Sequence, residues 1–107
     1  MALKFAELRS VLIICDRILK DRVLGKLDHL GATGYTWWEV HGKGEHDSAI
    51  DIFSGLVRVH IEIFCGLDVA EEIVAYCHGH QFHGMGMTVG VTPLFVLEED
   101  VRKFTGS

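Results

Sequence analysis

The chain has 107 residues, a length that suits one domain spanning 1–107, and 49% of them are hydrophobic, which supplies a core. A formal net charge of −5 argues against nucleic acid or an anionic membrane surface as the main partner. No apolar run approaches the roughly 20 residues of a membrane span and no signal-peptide core opens the chain, so a cytoplasmic location without membrane insertion is expected.

The run Leu8 to Cys15, LRSVLIIC, reads as a central strand that is apolar on both faces. Asp16 is then a good N-cap. Leu19, Val23, Leu27 and Leu30 fall on one face of a helix, with Lys20, Asp21, Arg22 and Lys26 on the wet side. Gly31 stands where a left-handed C-terminal cap is expected. Tyr35 to His41 follows as a strand of β-branched and aromatic residues. It ends in Gly42, Lys43 and Gly44, where a cation sits between two glycines that let backbone N–H groups approach a ligand. The same triplet is common in plain hairpin turns. Glu45 to Ser54 is a loop that carries Ile50, Ile52 and Phe53, which are odd in a solvated segment.

Leu56 to Cys65 alternates almost perfectly and is the cleanest strand signal. Val57, Val59, Ile61 and Ile63 face one way. Arg58, His60, Glu62 and Phe64 face the other, so that second face is wet or meets a subunit or ligand. Asp68 with Glu71 reads as a capping box opening a second helix, which Gly79 ends. A second glycine-rich loop holds Gly84, Met85 and Gly86. Met87 to Leu97 is a last strand, interrupted by Gly90 and by Pro93, whose presence demotes the second half to an edge, and Glu98 to Lys103 is a short terminal helix. Cys15, Cys65 and Cys77 are odd in number and lie in or beside apolar runs, so they are expected to be reduced and buried.

The order strand, helix, strand, strand, helix, strand gives an α+β, ferredoxin-like βαββαβ sandwich. Its four-stranded antiparallel sheet carries two helices on one face. The other face is left open with Arg58, His60, Glu62 and a tryptophan of the second strand on it. Oligomerisation is expected to cover that face, because a domain this small has a modest core.

From Ser10 to Gly106 the chain resembles the PII signalling superfamily. The pattern is GATGYTWWEVHGKG, a loop, VRVHIEI, the Gly84-Met85-Gly86 turn and VRKFTG. The resemblance implies a homotrimer that binds adenine nucleotide between subunits. Residue by residue, it implies Ile14 and Phe64 flanking the base and Thr36 at the adenine edge. Gly42, Lys43 and Gly44 would approach the phosphates; Gly84, Met85 and Gly86 would offer a backbone turn; Arg58 and Arg102 would supply charge. Ordinary structural roles compete with each of these, an Arg58–Glu62 intersubunit pair among them.

The chain departs from the family pattern in four places. The loop before Arg58 is shorter, and it lacks the tyrosine that some members uridylylate. Met87 replaces a lysine after the glycine turn, and Phe104 replaces a second arginine near the end. Each lost charge-assisted phosphate contact removes about 1.5–3 kcal/mol, which disfavours a triphosphate and favours ADP or AMP. GATGYT and the GKG after it resemble the PII-like proteins associated with bicarbonate transporters and carboxysomes. That implies bicarbonate as a further ligand and a protein target, such as a membrane transporter, contacted by the loop 45–54. His46 and Asp47 in that loop are candidates for an anion or effector site.

The alternative is a divalent-metal module for metal tolerance or transport, built on Cys77, His78, His80 and His83. Their spacing matches no established site, and neighbours on a helix diverge. No nucleophile–base arrangement or paired-carboxylate site stands out, so no catalytic residue and no cofactor are expected.

Overall fold

A computed structural model describes residues 2–41 and 57–106. The expectations placed on Gly42, Lys43, Gly44, His46, Asp47 and the loop 45–54 lie outside the described residues.

The organising element is β1 (Phe5–Asp16), a 12-residue strand paired antiparallel on both sides. One neighbour is β3 (Arg58–Cys65), which also pairs with the short β2 (Thr36–Val40). The other is β4 (Thr88–Leu97), and the sheet order is β2-β3-β1-β4. Helices α1 (Lys20–His29) and α2 (Leu67–Cys77) pack on one face. A last short helix, α3 (Val101–Thr105), closes the chain. This is the expected α+β sandwich of four antiparallel strands.

Strand alternation decides what each face holds. Val11, Ile13, Cys15, Val59, Ile61, Ile63 and Cys65 meet Leu19, Val23 and Leu27 around α1 and Ala70, Ile73 and Cys77 of α2 in one buried cluster. Every strand member of that cluster is fully excluded from solvent. At about 25 cal/mol per Å² of apolar burial, this layer holds the sheet to the helices. The other face reads in rungs. Thr88, Ile14, His60 and Trp38 form one; Gly90, Leu12, Glu62 and Thr36 the next; Thr92, Ser10 and Phe64 the third. Asp16, Arg58 and Val40 make the end rung.

Three local details differ from the sequence reading. Asp16 does cap, but it caps a 3₁₀ turn: its Oδ1 accepts the Ile18 N–H at 2.9 Å, and α1 starts only at Lys20. Gly66, not Asp68, is the N-cap of α2, and no side-chain cap forms. Asp68 lies in the first turn, where its charge faces the helix dipole. β4 runs through Gly90 and Pro93 without a break. It lies at the sheet edge, where the missing proline N–H leaves no ladder partner unpaired.

Gly31 follows the last turn of α1 at φ +94°, and the Ala32 N–H returns to the Leu27 carbonyl at 3.2 Å. A Cβ there would stand 3.3 Å from Val69 Cγ2 of α2. Left-handed backbone costs a non-glycine residue about 1–2 kcal/mol. Gly31→Ala is therefore expected to lower Tm by about 5–10 °C in a thermal melt. An unchanged Tm would mean the turn relaxes into another conformation.

Candidate ligand-binding site

The open sheet face gathers chemistry at two places. The first is a pocket of about 170 Å³ lined by Thr33, Gly34, Tyr35, Thr36, Glu62, Phe64, Lys103 and Phe104. Its floor is the Thr36–Glu62 rung and Phe64. Its roof is the C-terminal helix. Phe104 packs edge-on against Phe64, with ring centroids 5.4 Å apart and planes at 74°. Thr33 Oγ1 donates to the Lys103 carbonyl at 3.0 Å and so ties the entry to β2 onto α3. Lys103 Nζ is held by Asp100 Oδ1 at 2.9 Å, and that hydrogen bond raises its pKa. The pocket offers aromatic surface, a carboxylate, hydroxyls and an ammonium. A pocket of this volume falls below the roughly 300–1,000 Å³ of a complete small-molecule site.

The second place is the opposite end of the sheet. Arg58 and Ile14 stand on its last two rungs. The turn Gly84-Met85-Gly86 enters β4 there, two residues before Thr88 pairs with Ile14. Gly84 and Gly86 both have positive φ, at +75° and +71°. That geometry is open to glycine and leaves the backbone approachable. Met85 is exposed at the tip. The turn and Arg58 are on either side of β1, about 10 Å apart at the usual strand spacing.

The residues expected at one site are thus divided. Thr36 and Phe64 line the pocket; Ile14, Arg58, Gly84, Met85 and Gly86 share the far end. Phe64 lies four positions along β3 from the His60 that pairs with Ile14, about 13 Å at 3.3 Å per residue. Ile14 and Phe64 therefore do not reach one purine within a single chain. Arg102 is exposed on α3 and does not line the pocket; its neighbours Lys103 and Phe104 do. Lys103, Phe104, Thr33, Gly34, Tyr35 and Glu62 are pocket residues that sequence reasoning did not assign. Parity placed Glu62 beside Phe64. Nothing local to α3 signals that it folds back over β3.

The two tryptophans separate as strand alternation requires. Trp38 joins the open face, 5.5 Å from the His60 ring. Trp37 points to the helix side, with Lys20 Nζ 3.9 Å above its ring. Arg17 and Glu39 form an exposed pair at 3.6 Å on that side, of the kind that contributes little.

The metal alternative at Cys77, His78, His80 and His83 is corrected by the geometry. Among the described residues no group of three or more His, Cys, Asp or Glu side chains is placed to hold a metal ion. Cys77 turns into the core, where burial pushes its thiol up to about 12, with the nearby Cys15 adding to the rise. Cys15 is raised to about 11 by burial and by Asp16. The His80 and His83 rings come within 4.8 Å of each other.

The family model for nitrogen regulatory protein P-II matches residues 8–101. Among solved structures, the chain is similar to CPII of Thiomonas intermedia K12 bound to ADP and bicarbonate. The two are 22% identical, with a TM-score of 0.77 over 96% of this chain and 99% of that one. CPII bound to ADP, AMP and acetate gives 22% identity and a TM-score of 0.79, over 95% and 98% of the two chains. The GlnK–ATP complex of B. subtilis is also similar, at 19% identity and a TM-score of 0.57 over 82% of each chain. No curated protein matches by sequence.

Proposed function

The chain belongs to the nitrogen regulatory protein P-II family, and from that premise we propose that it is a homotrimeric sensor of adenine nucleotides. ADP or AMP binds in clefts between subunits. The observation that carries this reading is the divided open face. One chain holds a small aromatic pocket at Thr36, Glu62 and Phe64, and a glycine turn with Arg58 at the other end of the sheet. A rotationally symmetric assembly on this face sets the pocket of one subunit against the far end of the next. Ile14 and Phe64 then flank one base from two chains.

The base takes the aromatic pocket, and Thr36 and Glu62 offer hydroxyl and carboxylate to its polar edge. Arg58 gives a two-pronged, charged donor to the phosphates, and the Gly84–Gly86 turn gives them backbone N–H groups. Arg102 and the Gly42-Lys43-Gly44 triplet add charge at the rim. With Met87 and Phe104 where further cations would stand, fewer phosphates are favoured.

Signalling needs no covalent step and no cofactor: occupancy shifts the population of the loop 45–54, which contacts a protein target. The structure of CPII with ADP and bicarbonate, which shares this fold at a TM-score of 0.77, supports bicarbonate as a second ligand. It also favours a target in inorganic-carbon uptake, such as a bicarbonate transporter or a carboxysome-linked protein. His46 and Asp47 are the candidate anion contacts in the loop.

Isothermal titration with ATP, ADP and AMP, each with and without bicarbonate, tests the reading. Micromolar affinity for ADP or AMP with weaker ATP is expected, and bicarbonate is expected to change that affinity. No heat with any nucleotide would overturn the sensor reading.

A further inference from the structure

The end of α2 carries a feature that the nucleotide reading has not used. After Cys77 the chain makes a 3₁₀ turn, His80–Phe82. Phe82 is buried and locks edge-on against Tyr76, with centroids 5.2 Å apart. This anchor fixes His80 and His83 on either side of it. Their rings meet at 4.8 Å and 62°. His83 then leads directly into Gly84, and together with His78, Gly84, Gly86 and Met87 it lines a pocket of about 200 Å³.

We propose that the His80–His83 pair is a proton-dependent phosphate contact, in which an imidazolium beside the Gly84–Gly86 turn completes the recognition of the nucleotide's phosphates. This rests on the nucleotide reading above and deepens it. Two further observations support it. The neighbouring turn carries two positive-φ glycines, Gly84 and Gly86, whose lack of a side chain lets an anion approach the backbone closely. Among the described residues that line this pocket none is a carboxylate; its titratable residues are Cys77, His78 and His83, with His80 against His83. Cys77 is held neutral by burial.

Imidazole changes charge between pH 5 and 8, so ADP affinity strengthens as pH falls through that range. The terminal phosphate also titrates there, and in the opposite sense for binding. The readout is therefore the difference between the parent protein and its variants. ADP is titrated calorimetrically at pH 6.0 and 8.0 into the intact protein, His83→Gln and His80→Gln. Relative to His83→Gln, the parent is expected to gain roughly three- to tenfold in affinity at pH 6.0 and little at pH 8.0. Adenosine, which lacks phosphate, is expected to bind parent and variants alike. Thermal melts at both pH values check that the variants fold. An equal pH dependence in the parent and both variants would overturn the proposal and leave the nucleotide reading intact. Absence of ADP binding by the parent at both pH values would overturn both.

Discussion

Leu12→Asp is expected to convert the assembly to monomers and to abolish ADP binding with it. Leu12 stands mid-sheet on the open face, between Gly90 and Glu62 on its rung. Its neighbours Val11 and Ile13 point the other way and are fully buried under the helices. The substitution thus spares the core. It places a carboxylate on the face that we propose is covered by two other chains, and beside Glu62. An uncompensated charge in such an interface costs several kcal/mol, and a like charge on the adjacent strand adds to it. Sedimentation equilibrium reads the mass, and titration of the same sample reads ADP. Monomers that no longer bind ADP are the expected result. A retained trimer would remove this face from the interface. Monomers with full ADP affinity would place the whole site within one chain. If Leu12→Asp does not fold, Leu12→Ala is the milder probe, and a shift of the monomer–trimer balance toward monomer is expected.

How far the sequence reaches can be judged from particular elements. Alternation in β3 was legible without help, because Val59, Ile61 and Ile63 need one buried face and Arg58, His60 and Glu62 need another. The burial of β3 follows that pattern residue by residue. The central place of β1 was legible from an apolar run with no wet side. What escaped was decided by contacts distant in sequence. β1 starts at Phe5, earlier than expected, because the Phe5–Arg9 segment gains a partner in Leu97–Pro93 of β4. Pro93 did signal an edge, and β4 is an edge strand, but that the strand runs through Gly90 and Pro93 unbroken follows from its pairing with β1. The pocket roof was the largest omission. Phe104 read as a lost arginine, yet its ring supplies the wall that faces Phe64. A five-residue helix carries no signal of where it docks; here the Phe104 ring meets Phe64 and the Thr33 hydroxyl reaches across 70 positions to the Lys103 carbonyl. The histidines show the converse. Closeness in sequence grouped four candidate ligands at a spacing that matches no established site, and packing buries Cys77 and Phe82 in the core.

Arg58→Ala is expected to weaken ADP binding by about 10- to 150-fold, the equivalent of about 1.5–3 kcal/mol for one charge-assisted contact. The arginine is half-buried, opens a regular strand, and projects from the open face on the rung of Asp16 and Val40. Its strand neighbour Val59 is fully buried, which fixes the backbone and aims the side chain. A guanidinium in that position presents paired donors that match phosphate oxygens, whereas an ammonium is a point charge. Arg58→Lys is therefore expected to recover only part of the affinity. Adenosine separates this role from a structural one. If Arg58 acts on phosphate, adenosine affinity is unchanged in Arg58→Ala while ADP affinity falls. Equal losses for both ligands would assign Arg58 to holding the interface together, and unchanged ADP affinity would remove it from the site.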